Sequence, residues 1–184
     1  MELQLNSLYW VKNANMEKEI VLRKATMDDA KLLFRWKNDP ATIANSITKR
    51  GVTMEEHMNW LEKVVDNPKR QLYILEINQI PVGQLRLDID DFEKARDTTV
   101  VEDIKQVTAI TAEISYGLAS EHRGKGLGKV LLEQAELIAQ VYGFDQLTAE
   151  VLPHNLASQK LFKKLGFVEE QKDNLYIYKK DYGK

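Results

Sequence analysis

Residues 121–129 read Glu-His-Arg-Gly-Lys-Gly-Leu-Gly-Lys, and with their flanks they restrict the fold more than any other part of the chain. An apolar, strand-like run at 110–119 leads in, and an apolar-periodic run at 127–141 leads out. A strand that feeds a glycine-rich turn opening a helix is suited to holding a phosphate. Glycine lets the backbone approach a ligand closely, and the first unpaired N–H groups of the helix then point at the anion, aided by the positive end of the helix dipole. Arg123, Lys125 and Lys129 add charge at the same place. Short motifs of this kind also occur as plain strand-to-helix connections with solvated lysines, so a second signal is needed.

That signal lies further on. A second strand-like run, 147–152, closes at Pro153, and residues 155–167 follow as Asn-x-x-Ser-x-x-Leu-Phe-x-x-x-Gly-Phe. With Arg123-x-x-Gly126-x-Gly128 before it, this pair resembles the GNAT superfamily of acyl-CoA-dependent N-acetyltransferases. The two motifs span residues 113–167, and weaker similarity extends over about 20–180. The resemblance implies acetyl-CoA as cofactor. It places the pyrophosphate at Arg123, Gly124, Lys125, Gly126, Leu127, Gly128 and Lys129, with Asn155 and Phe162 also at the cofactor. It places the pantetheine arm beside Leu118 and Ala119, where two strands splay apart. Gly166-Phe167 matches the Gly-Phe that ends the family's last helix.

A chain of 184 residues is one domain of ordinary size, long enough to bury a core. With 26 basic and 28 acidic residues the net charge is −2, which argues against a general nucleic-acid or membrane-surface binder. No apolar run approaches the length of a transmembrane helix, and Glu2 with no compact apolar segment after basic residues argues against a signal peptide. Cysteine is absent, which removes disulfides, thiolate zinc sites and cysteine nucleophiles. His57, His122 and His154 lack metal-ligand spacing. The expectation is a cytoplasmic protein without metal, with a homodimer among the allowed assemblies.

Residues 1–18 are expected to be an N-terminal extension, with no clear period, and 19–184 the N-acetyltransferase domain. Alternation predicts a strand at 19–25. Thr26-Met27-Asp28-Asp29 has the form of a capping box and opens a helix that stops near Asn38-Asp39-Pro40. Thr53 with Glu56 opens a second helix that ends at Asn67-Pro68. Strands are expected at 71–77 and 82–89 around an Asn78-Gln79-Ile80-Pro81 turn. Residues 90–106 read as an acidic inserted loop, with room for a short helix. Then come a strand at 107–119, a helix at 126–142, a strand at 146–152, a helix at 155–165 and strands at 167–169 and 175–178. The order β-α-α-β-β-β-α-β-α-β-β describes an α/β (α+β) sandwich with a mostly antiparallel, mixed sheet flanked by helices. The GNAT resemblance implies the same layout.

Amide formation from a thioester requires a held acyl donor, a neutral amine and a leaving thiolate that is stabilised or protonated. Glu113 is the candidate base. It shares a strand face with Ser115 and Gly117, and the resemblance places a water-mediated glutamate there. The competing reading is a carboxylate paired with a lysine or arginine. The family often has tyrosine where Phe162 stands, and phenylalanine cannot donate a proton. Ser158, Tyr116, Tyr176 and Tyr178 remain as candidate acids, and Ser158 is carried forward with Glu113 as catalytic.

For the acceptor, residues 34–40 (Phe-Arg-Trp-Lys-Asn-Asp-Pro) and 55–61 (Glu-Glu-His-Met-Asn-Trp-Leu) resemble the branch that acetylates UDP-linked 4-amino sugars on the way to pseudaminic-type acids. That resemblance implies Arg35, Asn38, His57 and Trp60 as substrate contacts. Relatives often carry arginine soon after the Asn-Asp-Pro turn, and 41–46 here contains none. The same words occur in branches acting on ribosomal-protein N-termini, polyamines and antibiotics. The acidic residues Asp88, Asp90, Asp91 and Glu93 would suit a polyamine. His57 and Trp60 also read as a core aromatic pair three residues apart on a helix. A non-catalytic acyl-CoA-binding module is the alternative of a different class.

Overall fold

The computed structural model describes residues 9–10, 19–90 and 109–182. The expected acidic insertion, including Asp91 and Glu93, lies almost entirely outside them. Eight strands form one sheet in the order β1-β2-β3-β4-β5-β6-β8-β7. They are β1 (Tyr9–Trp10), β2 (Ile20–Lys24), β3 (Arg70–Ile77), β4 (Ile80–Ile89), β5 (Thr111–Leu118), β6 (Gln146–Val151), β7 (Val168–Lys172) and β8 (Leu175–Asp181). Every neighbouring pair is antiparallel except β5 with β6. Tyr9 and Trp10, within the expected extension, pair with Leu22 and Val21 and add an edge strand.

Five helices flank the sheet among the described residues: α1 (Ala30–Lys37), α2 (Pro40–Ala44), α3 (Met54–Val65), α4 (Leu127–Tyr142) and α5 (Leu156–Lys164). Both expected capping boxes form. Glu56 accepts from Thr53 N at 2.8 Å while Thr53 Oγ1 accepts from Glu56 N at 3.1 Å. Asp29 accepts from Thr26 N at 2.9 Å and opens a short 3₁₀ turn that continues into α1.

Two local readings are corrected. Asn38-Asp39-Pro40 ends α1 as expected, but it also starts α2, with Pro40 at the first turn and Asp39 Oδ1 accepting from Thr42 N at 3.0 Å. A proline can open a helix because its missing N–H would be unpaired there anyway. The β3–β4 turn is only Asn78-Gln79, both at positive φ, and Pro81 lies within β4. A bulge at Leu75/Glu76 loosens the ladder beside Pro81, which lets the strand tolerate a residue without an N–H.

The two sheet faces differ. On one, Leu131, Leu132, Ala135 and Ile138 of α4 pack on Leu85, Leu87, Ile114, Leu147 and Ala149. On the other, Leu33 and Trp36 of α1 and Leu61 and Val64 of α3 pack on Leu72 and Ile74 of β3. Past β3 that second face turns polar. Register places Arg86 opposite Ser115, and Asp88 opposite Glu113, which stands beside Thr148. Glu150 is two residues further along β6 and therefore on the same face. This polar row is the floor of the candidate site.

Candidate active site

The turn before α4 takes the conformation its glycines permit. Gly124 and Gly126 sit at φ +73° and +81°, the left-handed region, and a Cβ on either would meet nothing within 4 Å. The loop is thus open to an outside ligand rather than buried against protein. Gly126 caps α4, and the N–H groups of Leu127 and Gly128 find no acceptor among the described residues. Lys125 makes no ion pair among them, and Lys129 pairs with Glu133 at 2.5 Å one turn along the helix. Gly128 has a different task. A Cβ there would lie 3.1 Å from Leu161 Cδ2 and 3.4 Å from Tyr116 Cε2, so its smallness lets α4 approach α5 and β5.

Beside the loop, β5 and β6 part company. Their pairing ends at Glu113–Thr148, so the β6-facing edge of β5 from Ile114 to Leu118 has no strand alongside among the described residues. An unpaired strand edge offers backbone N–H and C=O groups with which an extended arm could pair. Ala119 N is already used by Val82 O at 3.0 Å, and Leu118 O accepts from Arg123 Nε at 3.2 Å. Asn155 caps α5, its Oδ1 accepting from Ser158 N at 3.3 Å, and its amide NH₂ makes no bond among the described residues. Open glycines, unpaired helix N–H groups and a free strand edge fit a phosphate-bearing pantetheine ligand.

Several expected contacts are deployed otherwise. The Arg123 guanidinium bonds Asp39 Oδ1 at 2.6 Å and Thr42 Oγ1 at 3.2 Å, so it ties the loop to α2. Phe162 is 1% exposed, stacked on Tyr178 at 5.1 Å and edge-on to Phe167 at 5.0 Å. It is a core ring, and the expected cofactor contact is corrected accordingly. Phe162→Ala is expected to cost about 3–5 kcal/mol of folding stability, measured by denaturant titration.

The expected acceptor residues divide. His57 is 3% exposed, its Nε2 lies 2.9 Å from Ala30 O, and its ring sits between Phe34 and Trp60. Burial holds its pKa below the ordinary histidine value. His57 is therefore a packing residue, not a substrate contact. Asn38 is committed to Phe34 O, Val52 O and Val52 N, pinning the loop before α3. Arg35 remains exposed, and half-buried Trp60 carries the Arg86 guanidinium 5.9 Å from its ring centre, at the polar row.

Glu113 is not the lysine- or arginine-paired carboxylate of the competing reading. It makes no hydrogen bond or ion pair among the described residues. Its pKa is held above the ordinary carboxylate value by partial burial first, then by Glu150, Asp88 and Asp90, against the opposing pull of Arg86. A carboxylate with a raised pKa and a free face is suited to taking a proton near neutral pH. From Glu150 a groove of roughly 350 Å³ runs outward past Leu152, Ile177 and Leu175 to Lys49, Lys172 and Asp173. Lys49 and Lys172 are contributions that the sequence reading missed. Nothing local marks them, because Lys49 comes from the loop after α2 and Lys172 from the end of β7.

Tyr116 Oη lies 2.9 Å from Ser158 Oγ, which joins two of the candidate acids. Tyr178 is sealed in the core and bonds Glu169 across the β7–β8 hairpin. Among the described residues no group of histidines and carboxylates could hold a metal ion, and no helix is long and apolar enough to cross a membrane.

Comparison with known proteins agrees with this geometry. Residues 19–168 match the model of the Acetyltransferase (GNAT) domain, and the chain belongs to that family. The putative phosphinothricin acetyltransferase YwnH of Bacillus subtilis is 46% identical over 59 residues, 32% of this chain and 36% of that protein. An uncharacterized protein of Methanocaldococcus jannaschii is 24% identical over 178 residues, 95% of this chain and 34% of that protein. The chain thus matches about a third of the length of these curated relatives. Among solved structures, a putative phosphinothricin N-acetyltransferase superposes with TM-score 0.66 at 26% identity, covering 90% of this chain and 99% of that one. RimL, a ribosomal L7/L12 alpha-N-protein acetyltransferase in complex with coenzyme A, shares the fold, with TM-score 0.70 at 15% identity over 88% of this chain and 93% of that one. Acetyl-CoA is the acyl donor of the family.

Proposed function

We propose that this chain transfers an acetyl group from acetyl-CoA to a small primary amine that enters along the groove lined by Lys49 and by Glu150, whose charge reaches Glu113. The unpaired Glu113 carboxylate, on a polar floor and held above its ordinary pKa, is the observation that carries this reading. When bound, acetyl-CoA supplies the acyl group, and its sulfur keeps the electron pair of the broken carbon–sulfur bond. The glycine loop and the start of α4 hold the pyrophosphate, and the free edge of β5 orients the pantetheine arm. Glu113, directly or through a water, takes the proton from the attacking nitrogen. Asp88 and Glu150 favour arrival of the amine as an ammonium, which Glu113 must then help to neutralise.

The finer reading is the 4-amino group of a UDP-linked sugar. The groove is lined by one carboxylate of the polar row, Glu150, and by Lys49 and Lys172. That polarity suits a molecule with an amine at one end and a diphosphate at the other. Asp173 stands beside the lysines and weakens the outer positive charge. The second reading is a polyamine, favoured by Glu113, Glu150, Asp88 and Asp90 clustering on one side.

A thiol-release assay with acetyl-CoA across UDP-amino sugars, polyamines, aminoglycosides and peptides tests both. Replacing Lys49 and Lys172 together by alanine is expected to raise the KM for a UDP-amino sugar on the order of tenfold, as expected for two exposed charge contacts. The KM for spermidine should not rise. Turnover of spermidine or peptides with none of any nucleotide sugar would move the assignment to those acceptors. No thiol release with any amine, alongside intact coenzyme A binding, would favour an acyl-CoA-binding module.

A further inference from the structure

We infer that Tyr116, held in place by Ser158, is the group that protonates the departing sulfur. The inference rests on the acetyltransferase reading above and names the acid that Phe162 cannot be. Three observations carry it. Tyr116 Oη is 2.9 Å from Ser158 Oγ in the first turn of α5, and 4.0 Å from where a Cβ on Gly128 would lie in the first turn of α4. The phenol therefore sits between the two helix starts that flank the candidate cofactor cradle. Second, Tyr116 belongs to the stretch of β5 that has lost β6 as a neighbour, so it borders the slot left for the pantetheine arm. Third, Tyr116 keeps part of its surface open, whereas Phe162 and Tyr178 are sealed beneath it. Its ring meets Phe162 edge-on at 6.1 Å, so the core that would otherwise carry a phenol on α5 serves instead as the bed for this one.

The proton inventory closes. As the new nitrogen–carbon bond forms, Glu113 takes one proton from the nitrogen. As the carbon–sulfur bond breaks with its electron pair on sulfur, Tyr116 gives its Oη proton to that sulfur and a free thiol leaves. The Ser158 hydroxyl passes a proton from water back to the phenolate, and Glu113 returns its own to solvent. Burial holds the Tyr116 pKa above the ordinary phenol value, with the Ser158 bond opposing, so the group is protonated and ready when turnover begins.

Calorimetry with coenzyme A and with desulfo-coenzyme A, alongside steady-state kinetics, tests the assignment. Tyr116→Phe keeps the ring and its contact with Phe162, so folding is preserved, which the melting temperature verifies. Wild type is expected to bind coenzyme A more tightly than the desulfo analogue. In Tyr116→Phe that preference should vanish, desulfo-coenzyme A affinity should stay unchanged, and kcat should fall on the order of 10²-fold. Ser158→Ala, acting through the phenol, should lower kcat less and displace the basic limb of the pH–rate profile. A Tyr116→Phe protein that keeps both the preference for the sulfur and its kcat would overturn the role of Tyr116 and leave the acetyltransferase reading standing. A wild-type protein that binds neither ligand and releases no thiol would overturn both.

Discussion

Glu113→Gln is expected to lower kcat by about 10²–10⁴-fold, the usual contribution of a general base, and to leave acetyl-CoA affinity unchanged. Glutamine has the same shape but accepts no proton, and Glu113 has no structural partner to lose among the described residues. The pH profile supplies the sharper signature. The folded-state pKa of Glu113 is raised by burial and by Glu150, Asp88 and Asp90. Wild-type kcat should therefore rise with pH through a value above the ordinary carboxylate range, and Glu113→Gln should remove that limb. The loss should shrink at high pH, where the amine is neutral without help. Stability should move the opposite way. A raised folded pKa means that the folded state binds the proton more tightly than the unfolded one, so this residue's contribution declines as pH rises through that value. At neutral pH the glutamine variant should melt at the same temperature as wild type or higher. An unchanged pH–rate profile would show that the amine arrives already neutral and that Glu113 is dispensable.

Gly126→Asp is expected to weaken acetyl-CoA binding by roughly five- to a thousand-fold, since a unit charge about 4 Å from a phosphate costs about 1–4 kcal/mol depending on exposure. The fold should survive. A Cβ there meets no atom within 4 Å, and the cost of a non-glycine residue at φ +81° is about 1 kcal/mol. Gly128→Asp is the poorer test despite its place in the same motif. Its side chain would press on Leu161 and Tyr116, so lost binding there would be confounded with disturbed packing. Calorimetry on Gly126→Asp giving wild-type affinity would remove the loop from the cofactor site.

The legible parts of this chain were those encoded locally. Period-two and period-3.6 patterns, two capping boxes and the glycine loop sufficed to order the strands and helices apart from β1 and α2, because each signal acts within a few residues. The sheet face on which Glu113 stands was legible because strand alternation fixes it. What escaped the sequence was side-chain destination. Arg123 sits in a phosphate motif, yet its guanidinium reaches Asp39, a partner 84 residues away. For His57 the sequence left a substrate contact and a core aromatic pair both open, and the approach of Ala30 O decides for the core. Phe162 read as a missing hydroxyl and Tyr116 as one of four candidate acids, and only the sheet brings the two rings together. Pro81 was read as a turn residue because the bulge that admits it depends on pairing with β3.

Helix α2 buries none of its residues. Two polar links hold it: Arg123 to Asp39 and Thr42, and His154 Nε2 at 3.0 Å from Ala44 O. Arg123 lies in the glycine motif and His154 immediately precedes Asn155, so both links come from segments that the cofactor reading assigns to the acyl donor. The chain leaving α2 carries Lys49 to the groove proposed for the acceptor. On the proposed function, one short helix is a shared hinge pin between the two ligands. If filling one site alters its position, affinity for the other must change, and linkage demands that the change be equal in both directions. Acetyl-CoA affinity measured with and without saturating amine would reveal that reciprocity, and cutting Arg123 from Asp39 with Asp39→Asn should reduce it.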